Sequence, residues 1–386
     1  MLKRGVLLIG FLSTFSLSLA QHHEAAAETK PATETKVVSA KEAEKEQIKK
    51  ENKEFIDHHL LDAHSFDIMV EKKADGTEHH IGFPLPVIFY DEANGLHAFM
   101  SSEFHHGKEL KDAHGKKYNV VESKGANYAL YHEKIVKTDA SGAITLDDHG
   151  HVTNEKVLDL SITKSVLMIL CASLLMIVIF GSMARNYKKS PIPTGAGKLF
   201  EPLVIFIRDE IAIPNIGPKY HKYISYLLTI FFFILFLNVF GLLPFGINVT
   251  GNLAITAALA IFTFIITQFT ANRNYWQHIF WMPGLPFLMK LVMIPIELIG
   301  MIIKPFALLI RLFANMSAGH IVIMSLIAMI YYFQNVIAGV AFPFLTFVLY
   351  LLEILVAFLQ AYIFTMLSAV YFGMANEEHH HEEAHH

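Results

Sequence analysis

Residues 287–333 read FLMKLVMIPIELIGMIIKPFALLIRLFANMSAGHIVIMSLIAMIYYF, a run of 47 positions that is apolar at helical spacing. A helix of this length measures roughly 70 Å at 1.5 Å per residue, whereas the hydrocarbon core of a bilayer is about 30 Å thick. The following apolar stretch, Phe342–Phe372, gives roughly 45 Å by the same rise. We therefore predict two long, steeply tilted membrane helices that form a hairpin around residues 334–341, with kinks at Pro295 and Pro305.

The composition of the whole chain excludes a soluble protein. Of the 386 residues, 17% are charged, against about 25% in typical soluble domains. Residues 223–376 carry six formal charges, whereas residues 21–160 carry 17 Lys or Arg and 26 Asp or Glu. A nearly uncharged half joined to an acidic half predicts a membrane domain attached to a soluble domain. Soluble enzymes are excluded, and so are nucleic-acid-binding proteins, because no basic patch is present.

Residues 1–20 have the pattern of a secretory signal peptide. Lys3 and Arg4 precede a short apolar run that ends at a small-x-small sequence, and this run is too short for a membrane helix. We therefore expect residues 21–160 to be exported as a soluble domain, with a flexible start over 21–55. Short apolar runs separated by Gly-containing turns predict that the rest of this domain is small and β-rich.

The first membrane helix gives the orientation of the chain. It precedes Arg185, Lys188 and Lys189, and clustered basic residues mark the cytoplasmic end of a span. The His- and Glu-rich tail at 377–386 is then cytoplasmic, because an odd number of helices separates it from the exported domain. Within a membrane domain over 161–376, the predicted helices are 164–184, 223–243, 252–271, 287–333 and 342–374.

The few charges in the long apolar stretch lie on one stripe. Lys290, Glu297, Lys304 and Arg311 follow one another every seven residues, so each is displaced by only about 20° around the helix. Arg311 has no acidic residue within one helical turn and keeps its charge at any accessible pH. It must therefore face water or an anion on another helix or chain. Lys290 is interpreted as an interfacial residue, and Glu297 with Lys304 as either a structural pair or part of an aqueous path.

Small residues share the helix face of Arg311, together with Asn315. Small side chains at this spacing let another backbone approach closely, so a contact with a partner chain is predicted. A tight contact within this chain alone is the alternative. The small residues expected to face the partner are Ala307, Ala314, Ala318, Ala357 and Ala361.

A second polar group lies away from that face. His320 is nine residues beyond Arg311 and points to the opposite side of the helix. On the returning helix, Glu353 and Gln360 are seven residues apart. We interpret His320 and Glu353 as a pair that relays protons along a half-buried path, with a structural histidine as the alternative.

Several stretches resemble the signature of subunit a of the F-type ATP synthases. The likeness covers about residues 165–376. The motifs that carry it are Lys304-Pro305, RLFANMSAGH at 311–320, Glu353, LQAYIF at 359–364, Val370-Tyr371 and LLPF at 242–245.

The resemblance implies a role for the polar residues of the long helices. Arg311 is then the arginine that faces the lipid-buried carboxylate of the rotating c-ring, with Asn315 and Gln360 at the same interface. Glu297 corresponds to an acidic residue of the proton exit path.

The resemblance also assigns His320 and Glu353 to the proton-access half-channels. The best-known bacterial pattern has an acid at the first position and a histidine at the second, and here they are exchanged. Because the exchange preserves one acid and one base, we expect the function to be retained.

The function implied is that of a non-catalytic stator subunit of the bacterial inner membrane. It supplies two proton half-channels to the c-ring and couples proton flow to ring rotation and ATP synthesis, with stator b subunits, the soluble ATPase head and membrane lipid as further partners. No cofactor and no metal site are expected. The histidines of the exported domain are scattered, which favours solvated side chains, with metal binding as the alternative. The alternative function is a secondary ion transporter with an exported accessory domain, although no internal repeat supports it.

Overall fold

The computed structural model describes most of the chain between residues 61 and 376. The predicted signal peptide at 1–20, the flexible start at 21–55 and the tail at 377–386 lie outside the described residues. Those residues are 61–72, 78–112, 117–147, 152–190, 192–243, 248–281, 286–333 and 336–376.

The described N-terminal residues form a β domain of antiparallel sheets, which confirms the predicted β-rich region. Strands β1 and β2 form one sheet, β4-β3-β9 a second and β5-β6-β7-β8 a third. Gly95, at φ +75°, forms the tight turn between β3 and β4, a conformation that glycine adopts without strain. The elements are β1 Ser65–Lys72, β2 Glu78–Pro84, β3 Pro86–Asp91, β4 Gly95–Met100, α1 Ser102–His106, β5 Lys108–Lys111, β6 Lys117–Ser123, β7 Ala126–Tyr131, β8 Lys134–Thr138 and β9 Leu158–Asp159.

The β domain passes into the first long helix, α2 Lys164–Tyr187, without a linker. After β9, the backbone N–H groups of Leu160 and Ile162 still donate to carbonyls of β3, at 2.8 and 3.0 Å. Thr163 then caps the helix, and its hydroxyl donates to Asp62 at 2.9 Å. The strand and the helix are therefore held together by hydrogen bonds on both sides of the junction.

A buried charged histidine holds the start of the β domain against its end. His64 is 2% exposed, and its Nε2 lies 2.8 Å from Asp159, while its backbone N–H donates to Glu133 at 3.1 Å. Burial alone would lower the pKa of His64, but the hydrogen bonds and charges of the two carboxylates outweigh it and raise the pKa to about 9.

The β domain is expected to lose stability as the pH rises from 6.5 to 9. The raised pKa means that the folded state binds the proton more tightly, so the contribution is complete below pH 6.5 and is lost as the pH passes about 9. The difference between the pKa of His64 in the folded state and its ordinary value of 6.5 corresponds to about 3 kcal/mol of unfolding free energy. Urea unfolding of the detergent-solubilised full chain, read by proteolysis of the β domain, measures it.

Replacing His64 by glutamine should flatten this pH dependence, because glutamine does not titrate. The matched control is His106→Gln, at an exposed position, which should keep the dependence of the unsubstituted chain. An unchanged pH dependence in His64→Gln would show that the proton is held elsewhere.

Five helices of the described residues are long and apolar enough to cross a membrane. The last two, of 47 and 41 residues, exceed the length of an upright span. The predicted fold class, a polytopic helical membrane protein with two long final helices, is confirmed. The remaining helices are α3 Gly197–Phe206, α4 Ile213–Ile216, α5 Ile224–Leu242, α6 Leu253–Thr270, α7 Arg273–Phe280, α8 Phe287–Phe333 and α9 Val336–Asn376.

Helix α9 begins earlier than the sequence predicted. It starts at Val336, six residues before the predicted start at 342, and Pro343 lies inside it. The residues before Pro343 are apolar, and Pro343, the eighth residue of the helix, removes one backbone hydrogen bond within it. Helix α8 likewise continues through Pro295 and Pro305.

The connection between α2 and α5 is part of the core. It runs through α3, a π-helical turn at Ile207–Ala212 and α4. Ile207 and Ile211 are fully buried, in the same apolar cluster as the end of α9.

The C-terminal end of α9 is anchored by two other segments. The Asn376 side chain donates to the hydroxyl of Tyr223 at 2.6 Å, and the backbone N–H of Asn272 donates to the carbonyl of Ala375 at 2.8 Å. The ring of Phe372 stacks on Tyr223 with centroids 4.6 Å apart. These contacts come from the start of α5 and from the junction of α6 and α7.

Candidate functional site

Arg311 lies on an exposed face of α8. Its neighbours on that face, Ala314 and Ala318, are also exposed, while Leu308 and Leu312, on the apolar face that flanks it, are 1% and 0% exposed. Burial of that apolar face in the core fixes the orientation of the helix. Among the residues that the structure describes, no carboxylate forms an ion pair with Arg311, so its charge is available to a group outside the chain.

Asn315 and Gln360 join the two long helices one turn beyond Arg311. The Asn315 side-chain amide donates to Oε1 of Gln360 at 3.0 Å. Gln360 is 2% exposed, whereas Asn315 is exposed beside Arg311. The resemblance implied that both residues line the interface with the ring, and this stays a prediction. The structure brings the two residues together, with Gln360 buried behind the exposed Asn315.

Two of the predicted partner-facing residues lie inside the chain. Ala357 and Ala361 on α9 are 1% and 0% exposed, and the Asn238 side chain of α5 donates to the carbonyl of Ala357 at 3.1 Å. The prediction that these alanines face another chain is therefore wrong, because they have no exposed surface to offer. Their small size instead lets α5 approach α9 closely. Ala307 on α8 is half-buried.

Glu353 is packed against the helix turn that carries His320. It is 7% exposed, and its carboxylate occupies the space where a side chain at Gly319 would lie. His320 is half-buried and within electrostatic range of Lys164, the first residue of α2. The structure thus brings the predicted pair to neighbouring positions, on the side of the membrane where α2 begins.

A loop that the sequence analysis missed completes this polar region. Between α5 and α6, the Asn248 side chain donates to the carbonyl of Met316 on α8 at 3.1 Å. The hydroxyl of Thr250 donates to Oδ1 of Asn238 at 2.9 Å, and both residues are fully buried. The loop therefore places amide and hydroxyl groups next to the His320 turn. The signal in the sequence was Asn238 itself, a polar residue in an otherwise apolar helix.

A second polar region surrounds Lys304, on the other side of Arg311. The Lys304 ammonium lies 5.7 Å from the centre of the Tyr371 ring, and Glu297, two turns earlier, is half-buried. Within the described residues the two do not form an ion pair, although they are within electrostatic range. A cavity adjoins Lys304 but not Glu297. Apolar residues line part of it, and its polar lining residues are Thr263, Thr267, Gln268, Tyr275, Lys304 and Tyr371.

The charge on Arg311 separates these two polar regions along α8. His320 is nine residues from Arg311 and Lys304 is seven, which correspond to roughly 14 Å and 10 Å along the helix axis. Two polar regions therefore lie on opposite sides of a fixed cation.

Comparison with known families covers almost the whole described chain. Residues 166–373 match the family described as ATP synthase A chain. Residues 55–160 match a family described only as a domain of unknown function (DUF8433). The two matches meet at the junction of the β domain with α2.

Curated relatives give the same assignment. The chain is 40% identical over 325 residues to ATP synthase subunit a of Chlorobium phaeobacteroides strain BS1, an alignment that covers 79% of this chain and 93% of that protein. It is 49% identical over 238 residues to ATP synthase subunit a of Chloroherpeton thalassium, covering 59% and 70%. It is 48% identical over 227 residues to ATP synthase subunit a 2 of Chlorobaculum tepidum, which covers 56% of this chain and 64% of that relative. The chain, a multi-pass membrane protein, therefore belongs to the ATP synthase A chain family, that of subunit a.

Proposed function

We propose that the chain is the stator subunit that supplies two proton half-channels to the c-ring of an ATP synthase. The single observation that carries this proposal is the exposed Arg311 guanidinium, which has no ion pair in the described chain and lies between two polar regions. The family assignment favours this function over a secondary ion transporter. Catalysis of ATP synthesis then belongs to the soluble head of the complex.

The proposed mechanism follows from the charge of Arg311. A carboxylate on the ring is neutral in lipid and ionised where it meets water, and a fixed cation favours the ionised form. Protons reach the ring through the region of His320, Glu353 and Asn248, and leave through the region of Lys304 and Glu297. Arg311 keeps the two regions apart, so a proton crosses only on a ring carboxylate that completes the rotation.

The orientation and the other partners belong to the same proposal. The bacterial inner membrane holds the five spans, with the β domain on the periplasmic side and the C-terminus in the cytoplasm. Arg185 in the last turn of α2, and Lys188 and Lys189 directly after it, support this orientation. Stator b subunits and the soluble ATPase head are the further partners, the latter through the assembled complex.

Cysteine cross-linking within the assembled complex tests which face of α8 meets the ring. In a Cys171→Ala background, Ala314→Cys and Ala318→Cys are each expected to form a cross-link with a small ring subunit bearing an engineered cysteine. Both positions share the exposed face of Arg311, and small side chains there permit close approach. Mass spectrometry of the cross-linked band identifies the partner.

Phe306→Cys is the matched control for this experiment. Phe306 is 56% exposed on α8 but lies about 140° around the helix from Arg311. Cross-linking to the ring from Phe306→Cys, without cross-linking from the two alanine positions, would place the ring on another face and contradict the proposal.

A further inference from the structure

The outer face of the three-stranded sheet β4-β3-β9 is apolar although it is exposed. Its exposed residues, here called the apolar face, are Tyr90, Leu96, Ala98, Met100, Leu158 and Leu160. They lie in register, because Tyr90 pairs with both Leu96 and Leu158, and the backbone of Leu160 bonds to Ile88 beside Ala98.

This sheet does not alternate between an apolar inner face and a polar outer face. Its inward face holds Val87 and Phe89, both fully buried, together with Asp91 and His97, which are 2% and 1% exposed. Leu96, Leu158 and Leu160, on the outward face, are 54%, 61% and 57% exposed. An antiparallel sheet with one face in water normally carries polar residues on that face.

The four-stranded sheet of the same domain follows the normal pattern. Its exposed positions include Glu109 and Lys117, which form an ion pair of 2.8 Å and whose side chains are 53% and 59% exposed. The apolar face is therefore a property of one sheet, and not of the composition of the domain.

The apolar face is tied closely to the membrane. Leu160 is four residues before Lys164, so it lies within roughly 14 Å of the start of α2 whatever the angle between strand and helix. The headgroup layers add about 5–8 Å to each side of the hydrocarbon core. Phe66 of β1 packs in the same cluster as Met168 and Ile169 of α2, so this domain contacts the first turns of the helix.

We propose that the apolar face docks on the lipid of the membrane that the chain spans, at the headgroup boundary beside α2. Continuity with α2 supports this occupant, because Val166, Leu170 and Leu174 of that helix are themselves exposed apolar residues. The size of the face supports it too. Three strands by three rows cover roughly 300 Å², whereas a stable interface with another protein or a second copy buries about 800 Å² per partner.

Docking on lipid gives this domain of unassigned function a role as a membrane-surface module. The bilayer removes exposed leucine and tyrosine side chains from water, and tyrosine is favoured at such boundaries. The contact fixes the position of the sheet that continues into α2, and so restrains the outer end of the first membrane helix.

Spin labelling of the full chain in phosphatidylcholine vesicles tests the proposal. In a Cys171→Ala background, Leu96→Cys and Leu158→Cys place a nitroxide on two different strands of the apolar face. Molecular oxygen, which dissolves in lipid, and a water-soluble nickel complex then report the surroundings of each label by collision. Lys117→Cys serves as the water reference and Leu174→Cys as the lipid reference.

The expected result is collision with oxygen and loss of collision with nickel at both sites, as at Leu174→Cys. Nickel collisions at the level of Lys117→Cys would place the face in water and overturn the proposal. Loss of both kinds of collision would place protein on the face, either a second copy or another segment of the chain, and would also overturn it. None of these readings depends on proton transport, so they are independent of the proposed function.

Discussion

Replacing Arg311 by lysine is expected to reduce ATP-coupled proton transport about tenfold or more, equivalent to at least about 1.4 kcal/mol. A lysine ammonium releases its proton in a low-dielectric site, whereas the guanidinium does not. The two polar regions on either side of position 311 would then exchange protons without rotation. ATP-driven acidification of inverted vesicles, read with a pH-sensitive dye, measures the coupled activity.

The passive proton leak separates this effect from a failure of assembly. Vesicles stripped of the ATPase head should leak faster with Arg311→Lys than with the unsubstituted chain. Arg208→Lys is the matched control, because Arg208 is exposed and its charge is paired with Asp209 at 2.7 Å. Normal coupling in Arg311→Lys would remove the basis of the proposed function.

The second large effect is expected from a single methyl group. Gly319→Ala should reduce proton translocation by about tenfold, or 1.4 kcal/mol, because the added Cβ would occupy the position of the Glu353 carboxylate. Glu353 would have to leave its place beside His320. The substitution otherwise favours the helix by about 1 kcal/mol, so the expected loss has the opposite sign to the effect of helix propensity.

Gly300→Ala in the same helix is the control for that propensity. A Cβ at Gly300 meets no atom within 4 Å, so translocation should stay at the level of the unsubstituted chain. Adding Glu353→Asp to Gly319→Ala shortens the acidic side chain and should restore part of the activity. Equal activity of the two alanine variants would show that Glu353 does not need its observed position.

The membrane helices could be predicted because their signal is local. A membrane span requires only an apolar run of sufficient length. The seven-residue spacing of Lys304 and Arg311 places them on one helix face, whatever other helices pack against it. The start of α9 was predicted six residues too late. In the sequence, Pro343 could either follow the start of the helix directly or lie inside the helix, and the structure places it inside.

The failures of prediction concern contacts between distant segments. Ala357 and Ala361 look like an exposed small-residue row in the sequence, because the sequence does not say that α5 covers them. The contact of Glu353 with Gly319 joins positions on two different helices. The bonds of Asn248 and Thr250 depend on how the loop between α5 and α6 folds back, which no periodicity reports.

The anchored end of α9 has a mechanical consequence. A rotor that turns against this subunit drags on the helices it touches, and the reaction force would displace a helix held only by lipid. Asn376 and Ala375 bond to the start of α5 and to the junction of α6 and α7, so α9 shares a sideways load with these two segments. Without the hydrogen bond between Asn376 and Tyr223, α9 would move under the torque of the rotor. Part of the energy of rotation would then be dissipated in that movement.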